Sequence, residues 1–421
     1  MTTSLLEGIR VVELATALQG PLAAQYLSDH GATVIKIEPP TGDASRFVGV
    51  YPSPGHAEQV RGSQFISANR GKLSVCLDLK TPFGHNAAAT LVATADVFLT
   101  NLRQPALERL ALDADTLEKR HPDLIYARAT GFGPFGPDAD KAMIDGAAQA
   151  RGGITALSGS SVSPTPPGCM LADTSGALTL ALGVLTGLTG RLLTGHAHRV
   201  DTSALGTQLY LQSWELQHAM LGGEKSTAAG AHHALLNGLY GVYQTSDEGQ
   251  LFIGVFQEFG AWQRFWTFAG LPEVGEDQRW NDLAQQFTID EATLEQLRAY
   301  ATEAIAAKGT EEWTDFLARE PRIIWEQVRD FDGVFADPQN IANRHIASLN
   351  IDAHSETTPT VGNPVMVGGN PCDEYAPPPG IGDHTMDILS GVGISSAEIN
   401  RHINHCHFLR SSQNVNTEGV Q

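Results

Sequence analysis

One carboxylate within residues 166–190, Asp173, has the surroundings that nucleophilic chemistry requires. A short apolar run, residues 169–172, precedes it and a long apolar helical pattern follows, which predicts that Asp173 is the N-cap of a helix. The amides and the positive dipole end of a helix favour an ionised carboxylate. Ser175 and Gly176 are small, so a substrate could approach closely. A buried, ionised and open carboxylate is suited to covalent catalysis.

Two other interpretations of this segment stay open on local grounds. Most aspartates that precede a helix only cap it, because Asp is a strongly preferred N-cap residue. A second carboxylate, Asp201 in the segment VDTSA, repeats the pattern a little downstream. Local physics therefore does not choose between a capping Asp173, a nucleophilic Asp173 and its rival Asp201.

Composition restricts the class of protein. The 421 residues contain 27 Lys and Arg against 47 Asp and Glu, and the net charge of −20 argues against nucleic acid as a partner. The four cysteines are too few and scattered for a disulfide framework, which favours a reducing cytoplasm. No signal peptide is predicted at the start of the sequence. The helix after Asp173 is expected to be a buried helix of a soluble protein and not a membrane span, because threonines interrupt its apolar run.

The C-terminal region contains His402, His405, Cys406 and His407, which could suggest zinc. Their crowded spacing matches no closed zinc site, so we expect a solvated tail and no metal.

Alternating strands and helices organise the first part of the chain. Apolar runs at residues 9–14, 33–38, 95–101 and 124–130 predict strands, and the segments between them are helical. This alternation predicts an α/β fold with a Rossmann-like, doubly wound parallel sheet, whose ligand crevice lies beyond the carboxyl ends of the strands. The first loop lacks the GxGxxG fingerprint, which argues against a nicotinamide cofactor.

The pattern changes after residue 221, where a linker-like stretch is followed by a strand pair and helices. We therefore predict a large α/β domain over residues 1–221, a smaller α+β domain over 222–332, and a return segment, 333–421, that completes the large domain.

Four cations flank the predicted strands: Arg70, Lys72, Arg103 and Arg109. They could form a solvated rim, because surface Lys and Arg are common, or a phosphate site.

Several segments, in order along nearly the whole chain, resemble the class III CoA-transferase family. This group includes formyl-CoA and carnitine CoA-transferases and the α-methylacyl-CoA racemases. The matching segments are LEGIRVVEL, GATVIKIEPP, NRGKLSVCLDLKTPFG, ADVFLTNLRQPALERLAL, HPDLIYARATGFGPFGP, LADTSGA, GLYGVYQTSDEGQLFIGV, FADPQ and GDHTMDIL.

The resemblance implies a function and assigns roles to residues. It makes Asp173, and not Asp201, the nucleophile that receives an acyl group and then CoA, through aspartyl anhydride and aspartyl-CoA thioester intermediates. The substrates would be an acyl-CoA and a small carboxylic acid, with no permanently bound cofactor. The resemblance also places four cations and an aromatic residue near CoA and implies an interlocked homodimer. These five residues are Arg70, Lys72, Arg103, Arg109 and Phe132.

Three positions depart from the family pattern. Leu18 stands where formyl-CoA transferases have glutamine, with Gln19 adjacent as a candidate catalytic residue. Phe132 lacks the hydroxyl of the tyrosine that some members have. Ile144 occupies the position of the racemase histidine, which favours a transferase because racemisation needs acid/base groups on both faces of the carbon. A racemase or epimerase, or a non-catalytic CoA-binding relative, is the alternative.

Overall fold

The computed structural model describes residues 5–50, 62–280, 282, 290–349, 357–369, 371–372 and 374–417. Within them, the strands are β1 Arg10–Leu14, β2 Thr33–Glu38, β3 Leu73–Cys76, β4 Val97–Thr100, β5 Ile125–Thr130, β6 Gly159–Ser160, β7 Ser163–Pro164, β8 Val200–Ser203, β9 His232–His233, β10 Leu236–Gln244, β11 Gln250–Phe256, β12 Ile323–Gln327, β13 Ile346–Leu349, β14 Thr358–Val361 and β15 Glu374–Tyr375.

The helices are α1 Gln19–Asp29, α2 Ser63–Asn69, α3 Pro82–Val92, α4 Gln104–Arg109, α5 Ala114–Arg120, α6 Asp145–Gly152, α7 Ile154–Leu157, α8 Leu171–Thr194, α9 Ala204–Leu211, α10 Ser213–Met220, α11 Phe259–Ala269, α12 Pro272–Glu276, α13 Glu291–Ala306, α14 Thr310–Leu317, α15 Phe331–Ala336, α16 Pro338–Ala342, α17 Thr385–Gly391 and α18 Ser396–Thr417.

A six-stranded sheet in the order β3-β2-β1-β4-β5-β8 forms the centre of the first unit. Every neighbouring pair in it is parallel. The predicted Rossmann-like parallel sheet is thereby confirmed. The strand order reverses between β1 and β4, and ligands of such sheets bind beyond the carboxyl ends of the strands at this reversal.

Both faces of the sheet are buried, which explains why the strands read as continuous apolar runs. On one face, Val11 and Val97 pack against α1 and α8. On the other face, Val12 and Phe98 pack against α3, and Leu389 of α17 and Ile399 of α18 belong to the same cluster. Because successive side chains of a strand point to opposite faces, adjacent residues serve the two cores.

The chain divides into two compact units. The first comprises residues 1–152, 169–211 and 337–421, and the second comprises residues 153–168 and 212–336. The predicted boundaries lay at residues 221/222 and 332/333, and the prediction did not separate residues 153–168 from the large domain. The second unit contains a four-stranded antiparallel sheet, β12-β11-β10-β9. Its core contains Trp262, Trp266 and Trp313, all fully buried.

Helix α8 is long and apolar enough to cross a membrane by length and composition, a test that the core helix of a soluble protein also passes. The prediction of a buried helix needs correction. Ala177, Leu180, Ala181 and Val184 are buried against the sheet, whereas other leucines of the helix, such as Leu182, are exposed. The apolar residues of α8 therefore form two faces, of which one packs against the sheet and the other is exposed.

Candidate active site

The loop after β1 is held at the point where the strand order reverses. The side chain of Asn101, which follows β4, accepts from the Thr16 amide at 3.0 Å and donates to the Thr16 carbonyl at 2.8 Å. Asp43 accepts from the Thr16 hydroxyl at 3.1 Å and from the Ala17 amide at 3.2 Å. These bonds hold Ala17 at a φ of 65°, a conformation that few residues other than glycine adopt. The loop therefore fixes the start of α1, where Gln19 lies.

Gln19 points its amide toward α8. The side chain is buried, and its Nε2 donor has no hydrogen-bond partner within the part of the chain that the structure describes. A Cβ added at Gly176 would overlap this Nε2 and lie 3.0 Å from the Gln19 Cδ, so only glycine leaves room for the amide. A buried donor without a partner is costly in a folded protein, which suggests that a ligand completes it.

Asp173 lies in the first turn of α8, and the predicted N-cap position is wrong. The helix begins at Leu171 and Met170 is its N-cap, which places Asp173 third in the helix. The cap is supplied from elsewhere in the chain. Asp145 Oδ1 accepts from the amides of Ala172 at 2.8 Å and of Asp173 at 3.0 Å. The carboxylate of Asp173 is therefore not needed as a cap.

The environment of Asp173 makes its carboxylate more basic than that of an ordinary aspartate. Burial, followed by the charge of Asp145, raises the pKa of Asp173 to about 6. The group is still mostly ionised at neutral pH, and a higher pKa accompanies stronger nucleophilicity. Sequence reasoning predicted an ionised carboxylate stabilised by the helix, but the acidic cap opposes that stabilisation.

Asp173 and Gln19 line one cavity of about 680 Å³ beyond the carboxyl ends of β1, β4 and β5. The lining residues are Thr16, Ala17, Leu18, Gln19, Gln64, Asn101, Leu102, Arg103, Ala106, Ala129, Thr130, Gly131, Lys141, Ala142, Met143, Ile144, Asp145, Gly146, Met170 and Asp173. Its position agrees with the crevice expected at the reversal of strand order.

The structure separates the predicted cations into two groups. Arg103 is exposed and lines the cavity beside Asp173, and Arg109 is exposed at the end of α4 without lining it. Lys141, which sequence reasoning did not consider, also lines the cavity. Phe132 follows the lining residue Gly131.

The Phe132 ring centre lies 4.8 Å from the Arg151 guanidinium carbon and 5.6 Å from the Lys141 ammonium. Phe132 thus supports a cation of the cavity wall without lining the wall itself.

Arg70 and Lys72 require a correction because both are buried in internal contacts. Arg70 forms an ion pair with Asp29 at 2.7 Å, and its guanidinium carbon lies 3.7 Å from the ring centre of Tyr375. Lys72 donates to Glu13 at 2.7 Å, among other partners. A side chain that already has its partners in the interior is poorly placed to bind phosphate, and neither residue lines the cavity.

A second cavity of about 630 Å³ adjoins the first and shares Thr16 and Leu102 with it. It opens at the carboxyl ends of β1, β2 and β3 and is lined by apolar residues such as Ile37 and Leu77, together with Lys80. Sequence reasoning missed Lys80, although the alternating strand that precedes it was a usable signal.

The rival carboxylate and the histidine-rich segment have structural partners. Asp201 lies on β8 and pairs with Arg128 at 3.0 Å and with Arg199 at 2.9 Å. The expected solvated tail is wrong for His402 and Cys406, which are buried in α18. The His402 Nε2 accepts from the Asp78 amide at 3.3 Å. Among the described residues, no group of three His, Cys, Asp or Glu side chains is placed to hold a metal ion.

Comparison with known proteins identifies the family. Residues 6–385 match CoA-transferase family III. The chain belongs to this family. It is 30% identical over 400 residues to the (R)-2-hydroxy-4-methylpentanoate CoA-transferase of Clostridioides difficile, covering 94% of this chain and 97% of that protein. It is also 30% identical over 397 residues to a succinate–glutarate CoA-transferase of Agrobacterium fabrum, covering 91% and 95% of the two chains.

Solved structures agree with this family III membership. A crystal structure of a CAIB/BAIF family protein from Brucella suis matches with a TM-score of 0.79 and 27% identity, covering 92% of this chain and 99% of that one. The predicted family is therefore confirmed. The named relatives support a CoA-transferase enzyme, and CoA thioesters and carboxylates are substrates that fit this family.

Proposed function

We propose that this family III protein transfers CoA from an acyl-CoA to a small carboxylic acid through covalent intermediates on Asp173. The observation that carries the proposal is that Asp173 and Gln19 line one cavity, and that the Nε2 donor of Gln19 has no hydrogen-bond partner among the described residues. A nucleophile and a hydrogen-bond donor for the developing oxyanion are the two groups that acyl transfer needs.

The proposed reaction uses only acyl exchange. Asp173 attacks the thioester carbonyl and forms an acyl-aspartyl anhydride while the CoA thiolate leaves. The thiolate then attacks the aspartyl carbonyl, which gives aspartyl-CoA thioester and releases the donor acid. The acceptor carboxylate attacks this thioester and forms a second anhydride, and the returning thiolate takes the acceptor acyl group and restores Asp173. No permanently bound cofactor takes part in this scheme.

Gln19 is the proposed oxyanion donor of this sequence. Its Nε2 is buried and lies beside Gly176 of α8, three residues after Asp173, on whose carboxylate the proposed anhydride and thioester form. A donor that is already fixed by packing loses no reorganisation energy when the oxyanion develops. Loss of one such donor in related chemistry lowers kcat by about 10²–10³-fold.

CoA can extend through both cavities. Thr16 and Leu102 border each of them, so one ligand can pass from the cavity of Asp173 to the cavity of Lys80. The apolar wall around Leu77 suits an adenine ring, and the Lys80 ammonium suits a phosphate. Arg103 and Lys141 supply positive charge in the first cavity.

The racemase alternative is weakly supported. Ile144 lines the cavity and its side chain is 76% exposed, so an apolar group without acid/base capacity stands at the position of the racemase histidine. A racemase would exchange the α-proton of a 2-methylacyl-CoA for deuterium in heavy water without an acceptor acid. We expect no such exchange by this protein.

A homodimer is part of the proposal. Helix α8 exposes Leu178, Leu182, Leu192 and Leu193, and the following α9 exposes Tyr210. Soluble monomers rarely expose a contiguous apolar face of this kind. The resemblance that implies an interlocked dimer supplies the occupant, a second copy of the chain. The cytoplasm is the proposed compartment, since all four cysteines are free thiols.

Trapping tests the proposed nucleophile. Incubation with donor acyl-CoA and hydroxylamine should convert Asp173 to its hydroxamate, which mass spectrometry of the peptide locates. Asp173→Asn should lose both trapping and transfer, whereas the matched Asp201→Asn variant should keep both, because its amide oxygen can still accept from Arg128. Full transfer by Asp173→Asn would contradict the proposal, and CoA binding without transfer across a panel of acids would favour a non-catalytic relative.

A further inference from the structure

Asp145 is a buried carboxylate whose side chain accepts from the backbone of the proposed nucleophile, and the proposed reaction gives it no role. It begins α6 and its side chain is almost fully enclosed. Its Oδ1 accepts from two amides of the first turn of α8, those of Ala172 and Asp173. A carboxylate from one helix therefore caps the helix that carries the nucleophile.

The other oxygen of Asp145 is held as well. Gln149, one turn along α6, donates its Nε2 to Asp145 Oδ2 and also to the carbonyl of Cys169 at 3.2 Å. The first contact lies within α6, and the second joins α6 to the residues that enter α8. The position of Asp145, and through it that of the Asp173 backbone, is thus fixed from two sides.

This arrangement changes what Asp173 experiences. Free amides at a helix N-terminus stabilise a nearby carboxylate and make it less basic. Here the amides of residues 172 and 173 point to Asp145, so they are not available to the Asp173 side chain. A second negative charge also lies beside the nucleophile, where like charges disfavour ionisation of each other.

We infer that Asp145 is a positioning residue that fixes the backbone of Asp173 and, through its own charge, keeps the Asp173 carboxylate basic enough for attack on a thioester. This role rests on the proposed function. Among the described residues, the charged groups that line the cavity with Asp173 are Asp145 from α6 and the cations Lys141 and Arg103. Asp145 is the one whose charge contributes to the raised pKa of Asp173, after burial.

Asn and Ala at position 145 separate the two parts of the role. Asp145→Asn removes the charge but keeps an oxygen that can accept from the two amides, since Asn is also a good cap. Asp145→Ala removes both the charge and the cap. The change in free energy of unfolding caused by Asp173→Asn, followed across pH, reports the titration of Asp173 without requiring any enzymatic activity.

In the wild-type background, the difference in free energy of unfolding caused by Asp173→Asn should grow as the pH rises from 4 and should reach a plateau near pH 6, the pKa of Asp173. With Asp145→Asn, the plateau should move to lower pH by less than about one unit, because burial is the larger cause of the raised pKa. The pH midpoint of hydroxamate trapping at residue 173 should move in the same direction. Trapping at pH 8 should become several-fold slower.

An unchanged plateau in the Asp145→Asn background would overturn the inference, since a purely structural cap would lower stability without moving the titration of Asp173. Absence of trapping in every variant, with the plateau still displaced, would instead contradict the proposed function and leave the electrostatic coupling established. Asp145→Ala should show the same displacement together with lower stability, because the two amides lose their acceptor.

Discussion

Replacement of Gly176 by alanine should inactivate the protein while leaving its fold intact. A Cβ at this position would overlap Gln19 Nε2 and lie 3.2 Å from the Gln19 Cγ. These atoms are the far end of a flexible side chain, so the amide can turn away at little cost, and Nε2 has no hydrogen bond to lose among the described residues. Alanine is about 1 kcal/mol more favourable than glycine within a helix, which offsets the displacement.

The expected loss of activity follows from the displaced donor. If Gln19 stabilises the oxyanion, Gly176→Ala should lower kcat by about 10²–10³-fold, or about 3–4 kcal/mol in the barrier. The KM for acyl-CoA should change little, because the donor acts chiefly on the transition state. Steady-state transfer kinetics and thermal unfolding of the same preparations provide both quantities.

A matched control lies on the same helix. Gly190 lies about 25 Å along α8 from Asp173. Gly190→Ala would place a Cβ 3.3 Å from a ring carbon of His198. This variant should keep full activity. In a double-mutant cycle, Gly176→Ala should add nothing to Gln19→Ala, because both changes remove the same donor. A Gly176→Ala protein with near wild-type kcat, or full additivity with Gln19→Ala, would refute the role of Gln19.

Three further predictions concern charge, CoA binding and assembly. The raised pKa of Asp173 stabilises the fold below pH 4, and this stability is lost as the pH rises through about 6. In chemical unfolding, Asp173→Asn should therefore be as stable as wild type at pH 4 and more stable by about 1–3 kcal/mol at pH 8. Equal stability at pH 8 would contradict the raised pKa. Lys80→Ala should raise the KM for acyl-CoA about tenfold at unchanged stability. Arg70→Ala should chiefly destabilise the fold, since it removes the ion-pair partner of the buried Asp29. A raised KM at unchanged stability for Arg70→Ala, with no change of KM for Lys80→Ala, would instead support Arg70 as a CoA contact. Leu182→Glu should convert the dimer to a monomer, measured by light scattering with size-exclusion chromatography. Phe135→Glu, at a residue that is 87% exposed and lies outside α8, should leave the dimer intact. A wild-type protein that is monomeric in this measurement would contradict the proposed dimer.

The parallel sheet could be predicted because its signals are local. Strands buried on both faces read as short apolar runs, and the helices between them bring those runs into one sheet. The start of an apolar helix near Asp173 is visible for the same reason, but the choice of Asp173 over Asp201 came from the resemblance to the family and not from local patterns. The helical position of Asp173 was misjudged because the cap, Asp145, comes from a residue 28 positions earlier in the chain.

The buried cations show what local patterns cannot provide. Arg70 pairs with a carboxylate 41 positions away and Lys72 with one 59 positions away. Neither ion pair can be predicted from the sequence of the turn in which Arg70 and Lys72 lie. The same holds for His402, which accepts from an amide 324 positions away, that of Asp78, just after β3. The helix that contains His402 is therefore packed and is not a solvated tail. Residues 153–168 likewise join the second unit through tertiary contacts alone.

Oxygen transfer is the most direct test of covalent catalysis by Asp173. With an acceptor acid labelled with ¹⁸O in its carboxylate, the second anhydride leaves one labelled oxygen on Asp173 when the acceptor acyl group departs. The next turnover passes an oxygen of this carboxylate to the donor acid. We therefore predict ¹⁸O in the released donor acid and in the peptide that contains Asp173, measured by mass spectrometry. Continued transfer with no label in either would contradict an aspartyl intermediate.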